Sequence, residues 1–240
     1  MGCGWRAKIG VMKPAAGASL EYEFYRMAPE GVAFNFTLLP LSKVSEDELV
    51  KMNEQVDNAS KLLAQARVDV IVYACPSGSF VKGFGYDKEI IRRIEDITKI
   101  PATATTTAVV DALKEMEVRK MVIATPYIDS LNQLEAKLFN AAGFEVLRIK
   151  GLQMVDPNEI AKLGLDAPYQ LARKVYEESP EADGVFISCG AWRTVEIVDP
   201  LERDLRKPVV SSSLATFWKA LRMAGFHEMI KGYGRLLESL

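Results

Sequence analysis

The 240-residue sequence predicts an α/β protein made of two similar lobes, each a parallel sheet flanked by helices. Two observations predict it. Short apolar runs rich in β-branched residues alternate with helix-like segments along the whole chain. That alternation implies parallel strands joined by helical crossovers, with helices on both sheet faces. Three landmarks also recur in one order: Lys8-Ile-Gly-Val-Met-Lys13 is echoed by Lys120-Met-Val-Ile-Ala124, Cys75 by Cys189, and Pro101–Leu113 by Pro208–Leu221. Their separations of 112, 114 and 107 positions argue for a duplicated unit. A solenoid repeat, at ~20–50 residues, is far shorter.

Taken in order, the strand-like runs are 8–13, 34–39, 68–74, 101–104, 119–125, 144–149, 184–189 and 208–211. Helical segments are expected near 17–28, 46–66, 86–98, 105–116, 129–142, 157–178, 194–205 and 213–224. Across 46–66, Leu49, Met52, Val56, Ala59, Leu62 and Leu63 recur at spacings of three or four, or adjacent to such a position, which is a helical stripe. Asp129 or Ser130 is the expected start of the next lobe's first helix, and Gly143 its stop. No Gly/Ser linker or charge block divides the chain. The boundary is expected near Glu117-Val-Arg119, giving a lobe over 1–116 that carries Cys75 and a lobe over 117–240 that carries Cys189. Crossing segments are expected to join them.

Composition narrows the function classes. Hydrophobic content of 49% and charged content of 26% are ordinary for a globular protein. A net charge of −2 with interspersed signs offers no footprint for nucleic acid. No apolar run reaches the ~18 residues of a membrane helix. The segment Met1–Lys8 lacks the apolar core of a signal peptide, and Arg6 stands where a myristoylation motif wants Ser or Thr. The expected compartment is the cytoplasm. Three cysteines are an odd count, so free thiols are expected rather than a disulfide framework. His227 is the sole histidine, expected in a structural or surface role, which excludes any site needing two imidazoles. No metal-ligand spacing occurs. The expectation is an enzyme without metal or organic cofactor, acting on a small molecule, with a homodimer as the default assembly.

The two cysteines carry the chemistry. Cys75 ends the apolar run Val68–Ala74 and opens into Pro-Ser-Gly-Ser; Cys189 ends the run Ala182–Ser188 and opens into Gly-Ala-Trp-Arg. A thiol at the carboxyl end of such a strand lies where open α/β sheets bind ligands. With no histidine near either position in sequence, thiol–imidazole hydrolysis is disfavoured. A thiolate can still serve as a base toward carbon, if helix N-terminal amides or hydroxyls hold its charge. Hydroxyls crowd the same strand ends. Thr105 and Ser213 are expected to cap the helices that follow, whereas Ser77 and Tyr127 are better placed to hold a carboxylate and the charge that develops on it. Trp192 and Arg193 either shape substrate choice or cap the next helix. The stretch Gly78–Gly85 fits no phosphate-binding template.

Several stretches resemble the aspartate/glutamate racemase superfamily, and within it the branch of arylmalonate decarboxylases and maleate cis-trans isomerases. They are Lys13-Pro-Ala-Ala-Gly17, Ser77-Gly-Ser-Phe80, Ala124-Thr-Pro-Tyr-Ile-Asp129, Ser188-Cys-Gly190, Val209-Val-Ser-Ser-Ser213 with Phe217-Trp218, and Gly232-Tyr-Gly-Arg-Leu236. Together they span nearly the whole chain. The resemblance implies the pseudo-two-fold racemase-like fold and no cofactor. It implies that Cys189 is a proton donor and that Cys75 and Cys189 together form the catalytic pair of isomerases and racemases. Ser77, Tyr127 and the amides of Cys189 and Gly190 would hold a carboxylate, and Leu41 and Val44 would line an apolar pocket. Pro14 and Gly78 complete the expected substrate-binding set.

Two departures matter. Decarboxylases of this branch have Gly where Cys75 stands, and the next position is usually Thr where this chain has Pro76, which offers neither hydroxyl nor amide hydrogen. The first loop, Pro14-Ala-Ala-Gly17, also lacks the Asn of the isomerases. The reading that follows is a cofactor-independent isomerase or racemase of a small carboxylic or dicarboxylic acid working through Cys75 and Cys189. The alternatives are an arylmalonate-type decarboxylase with Cys189 protonating an enediolate, and a non-catalytic small-acid sensor, which Pro76 alone invites.

Overall fold

The computed structural model describes residues 2–240. Its eight strands are β1 (Ala7–Pro14), β2 (Val32–Leu39), β3 (Val70–Tyr73), β4 (Ala102–Ala104), β5 (Lys120–Thr125), β6 (Glu145–Gly151), β7 (Gly184–Ile187) and β8 (Val209–Ser211). They coincide with the eight expected runs to within three residues at their ends. They form two separate four-stranded sheets, in the orders β2-β1-β3-β4 and β6-β5-β7-β8. Every pairing is parallel. The duplication is therefore one of topology: the same order is wound twice, with Ile9 opposite both Phe34 and Val70, and Met121 opposite both Val146 and Gly184.

Burial explains the strand sequences. All four residues of β3 and of β7 are buried, because helices cover both faces of these inner strands, so they read as unbroken apolar runs. The edge strands β2 and β6 are partly exposed and mix polar with apolar residues.

The helices are α1 (Ser19–Met27), α2 (Glu46–Asn53), α3 (Val56–Gln65), α4 (Pro76–Phe80), α5 (Tyr86–Thr98), α6 (Thr105–Glu115), α7 (Asp129–Ala141), α8 (Pro157–Ala161), α9 (Asp166–Glu177), α10 (Val195–Leu205), α11 (Ser212–Met223) and α12 (Arg235–Glu238). Two expected helices are each divided. The segment 46–66 breaks after Asn53, whose side chain turns inward to bond the carbonyl of Gly78 at 2.9 Å and the hydroxyl of Tyr73. Nothing in the local pattern signals that break. The segment 157–178 breaks over 162–165, where Gly164 was an available signal. The short α4 is an addition, foreshadowed by Pro76 at its first position. Capping also differs. Ser211, rather than Ser213, accepts the Leu214 amide at 3.3 Å to start α11, and Ile128 precedes α7 without a side-chain cap. Thr105 does not cap α6; its hydroxyl donates to the Tyr73 carbonyl at 3.4 Å.

The lobes meet along α6 and α11, the equivalent helices of the two units. Thr216 Oγ1 donates to Thr105 Oγ1 at 3.0 Å, and the Lys219–Asp111 and Arg222–Glu115 pairs flank this seam at 2.7 and 3.1 Å. A second tie crosses from α1. Glu23 is fully buried, and its Oε1 accepts the amide of Val195 at 2.9 Å together with the amide and hydroxyl of Thr194. An acidic side chain of the first lobe thus caps α10 of the second, against the positive end of that helix. Burial nevertheless pushes its carboxyl up to about 7, against hydrogen bonds from Ser213, Thr194 and Val195 that favour the charge. No helix among the described residues is long and apolar enough to cross a membrane.

The Glu23→Ala substitution leaves the α10 amides without an acceptor inside the protein. It is expected to lower the free energy of unfolding by about 2–4 kcal/mol. Urea titration followed by circular dichroism measures this; a loss under 0.5 kcal/mol would show that the cap carries no stability.

Candidate active site

In each sheet the strand order turns back around one inner strand, β1 in the first and β5 in the second. A crevice opens at the carboxyl ends of the strands on either side of such a point. From the first sheet those ends deliver Pro14 at the end of β1 and Cys75 after β3. From the second they deliver Tyr127 after β5 and Cys189 after β7. All four line a single cavity. The connections beyond the edge strands complete it with the same symmetry: Leu41 and Val44 after β2, Pro157 and Ile160 after β6. The Val44 amide donates to the Val155 carbonyl at 2.8 Å, which joins these two connections at the cavity wall. The space between the lining atoms, including open solvent at the mouth, is about 450 Å³.

Cys75 is the N-cap of α4. Its Sγ accepts the Gly78 amide at 3.3 Å and lies 3.7 Å from Ser77 Oγ. Burial pushes this thiol up, opposed by the Gly78 amide and the hydroxyls of Ser77 and Tyr73. Cys189 accepts the Ala191 amide at 3.3 Å. Burial pushes it up to about 11, opposed by the amides of Ala191 and Trp192 and the hydroxyl of Tyr127. At neutral pH Cys189 is therefore a thiol that can give a proton. Tyr127 is buried, and its hydroxyl is held well above its ordinary range by burial and by the neighbouring Cys189, so it stays a donor. Its position is set locally: Thr125 Oγ1 accepts the Tyr127 amide at 3.0 Å and donates to Asn132 at 2.6 Å.

The structure brings Cys75, Cys189, Ser77, Tyr127, Gly190, Pro14, Leu41 and Val44 together at this cavity. It does not bring Gly78 there. Gly78 sits behind Cys75, where a Cβ would lie 2.1 Å from the Tyr73 hydroxyl, and its amide donates to Cys75 Sγ at 3.3 Å. The Cys189 amide is not free for a carboxylate either, since Ser212 Oγ accepts it at 3.2 Å. Ser77, Tyr127 and Gly190 remain as the donors beside the thiols. Pro76 lines the wall and offers none. Trp192 is buried outside the cavity, and the exposed Arg193 pairs with Glu196 at 2.9 Å. Cys3 and His227 are exposed and lie elsewhere.

Three features escaped the sequence reading. One is the buried network behind Cys75, in which Asn53 joins Tyr73, Gly78 and Tyr86. Its members are far apart in sequence, and nothing local marks them. The second is Glu135, buried on α7, whose carboxylate accepts the Ser188 hydroxyl at 2.5 Å immediately before Cys189. Burial pushes it up to about 8. The third is Lys13, buried on the cavity wall. A lysine ending a buried apolar strand was the signal that could have found it. As a whole, the cavity offers a thiol from each lobe, neutral hydrogen-bond donors and apolar walls. That suits proton transfer or thiol addition at a carbon beside a carboxylate.

Two outcomes are expected. At pH 7.5 an aromatic disulfide reagent titrates Cys3 rapidly, and Cys75 and Cys189 at least about 100-fold more slowly until urea is added; three equal rates would contradict the buried thiols. The folded-state carboxyl of Glu135 titrates near 8 rather than at its ordinary value of 4.5, so the folded state binds an extra proton in that window. Stability therefore falls as pH rises from about 4.5 to about 8. Glu135→Gln is expected to flatten this slope, as read by urea titrations at several pH values.

A family model described as arylmalonate decarboxylase matches residues 9–237. An arylmalonate decarboxylase of Bordetella bronchiseptica is 29% identical over 231 residues, covering 96% of each chain. A maleate isomerase of Pseudomonas putida is 26% identical over 244 residues, again 96% of each. Among solved structures, a Nocardia farcinica maleate cis-trans isomerase superposes with a TM-score of 0.92 at 23% identity, over 97% of this chain and 98% of that one. That structure is of a cysteine-to-serine mutant with a covalently bound succinylcysteine intermediate.

Proposed function

The chain belongs to the arylmalonate decarboxylase family, and from that premise we propose that it is a cofactor-independent isomerase of a small dicarboxylic acid acting through Cys75 and Cys189. The observation that carries this reading is the pair of buried thiols, one from each lobe, at one cavity. Single-donor decarboxylation has no use for the second thiol, and the family resemblance places Gly at that position in the decarboxylases.

In this mechanism the Cys75 thiol first gives its proton to solvent, and the thiolate, held by the Gly78 amide and the Ser77 hydroxyl, adds to one alkene carbon of a cis-unsaturated diacid. The electron pair moves onto the adjacent carbon and its carboxylate. Ser77, Tyr127 and the Gly190 amide hold the resulting enediolate. Cys189 then gives its proton to that carbon. Rotation about the new single bond follows. The Cys189 thiolate takes the proton back, and Cys75 leaves as thiolate, regenerating the site with the trans alkene. The pushed-up Cys189 suits the acid role, and the Gly78 amide and Ser77 suit charge on Cys75. The succinylcysteine of the Nocardia isomerase mutant is the adduct such a sequence would leave on one cysteine when the other is removed and solvent gives the proton to carbon in its place.

The second reading is decarboxylation of a malonate-type diacid, favoured by the apolar wall of Leu20, Leu41, Val44 and Ile160. A carboxylate forced against such a wall loses solvation, and losing carbon dioxide relieves that cost.

Proton NMR in deuterated water with maleate, phenylmalonate and a chiral 2-arylpropionate separates the readings. Fumarate is the expected product, with turnover reduced about 10²–10⁴-fold in Cys75→Ser and in Cys189→Ser. Cys189→Ser is further expected to accumulate a covalent adduct of one substrate mass, seen by intact-protein mass spectrometry and absent when Cys75 is also replaced. Phenylmalonate turnover that survives Cys75→Gly would instead establish the decarboxylase.

A further inference from the structure

Lys13 is the one lysine, arginine, aspartate or glutamate among the described residues that line the cavity; the others are apolar residues, glycine, one serine, one tyrosine and two cysteines. It is 3% exposed. Its Nζ donates to the Gly17 carbonyl at 2.7 Å and to both oxygens of Glu21, at 2.7 and 2.8 Å. Taking an ammonium out of water is costly, so a lysine here needs a reason. The duplicated fold supplies a control. The repeat that carries Lys8 onto Lys120 carries Lys13 onto Thr125, which ends β5 as Lys13 lies within the end of β1. A neutral residue satisfies that place in the second lobe, so the architecture does not require a charge in the first.

From this we infer that Lys13 is the specificity-determining residue of the site, taking the distal carboxylate of a dicarboxylic acid whose reacting carboxylate lies at Ser77, Tyr127 and Gly190. The inference deepens the isomerase reading and rests on its use of this cavity for a diacid. Glu21 shows the contact in kind: a carboxylate already engages the ammonium through both oxygens. Its side chain is 26% exposed on the first turn of α1, so it can turn to water when a substrate carboxylate takes its place. A diacid without that cation would leave its second charge bare against Leu20, Leu41 and Ile160. The same cation opposes decarboxylation, because it stabilises the carboxylate that would have to leave. A monoacid gains nothing from Lys13. The residue thus converts a general carboxylate cavity into one that requires two carboxylates.

Calorimetric titration with succinate and with its monomethyl ester tests this apart from turnover, since neither ligand has an alkene to isomerise. Wild type is expected to prefer succinate by at least about 30-fold, and Lys13→Met to bring the ratio to within about threefold of one, the scale for removing one partner of a buried ion pair. Glu21→Gln, which leaves Lys13 in place and removes its competitor, is expected to tighten succinate about 3–10-fold, and it reads the same contact should Lys13→Met fail to fold. No preference in wild type, an unchanged preference in Lys13→Met, or weaker succinate binding in Glu21→Gln would each overturn the inference. A wild type that prefers succinate yet isomerises no diacid would sink the isomerase reading and leave Lys13 in its assigned role. Maleate turnover with the succinate preference intact in Lys13→Met would do the reverse.

Discussion

The site depends on one constraint: the carboxyl ends of two separate parallel sheets must meet at one cavity between the lobes. Neither lobe holds a complete site. Pro14 and Cys75 come from one, Tyr127 and Cys189 from the other. What holds them in register is the packing of α6 against α11, tied through Thr105 and Thr216, and the grip of Glu23 on the first turn of α10. Each of these contacts joins residues more than 100 positions apart.

Burial then sets the chemistry. Away from solvent a thiol, a phenol and a carboxylic acid all favour their neutral forms, and Cys189, Tyr127 and Glu135 are each shifted that way by burial above all. Charge in such a place is tolerated where dipoles are already aimed at it. The Gly78 amide at Cys75 and the Ala191 amide at Cys189 are aimed in that way before any substrate arrives. A thiol pair can therefore work without an imidazole, which agrees with a chain holding one exposed histidine.

The duplication is faithful in topology and broken in chemistry. Strand order, parallel pairing and the placement of a cysteine after the third strand of each unit are repeated. The strand-end residues are not: Lys13 faces Thr125 in the alignment of the repeats, and the Asn53–Tyr73 network supports only Cys75. Symmetry builds the cavity, and its departures give the two thiols and the two ends of the cavity different surroundings.

The sequence by itself determined the α/β class, all eight strands, the repeat and the two cysteines, because buried parallel strands and helical stripes write their periodicity locally. It also announced Ser77 and Tyr127, which follow strand ends directly, and Pro76 marked the start of α4. It did not reveal the break after Asn53, the place of Gly78 behind its cysteine, or the loss of the Cys189 amide to Ser212. Those depend on partners about 20 or more positions away, and no local pattern encodes them. Tertiary structure alone decided that two strand-end thiols 114 positions apart share one cavity with a single buried lysine. Only the packing of one lobe on the other brings them to one cavity and buries them there.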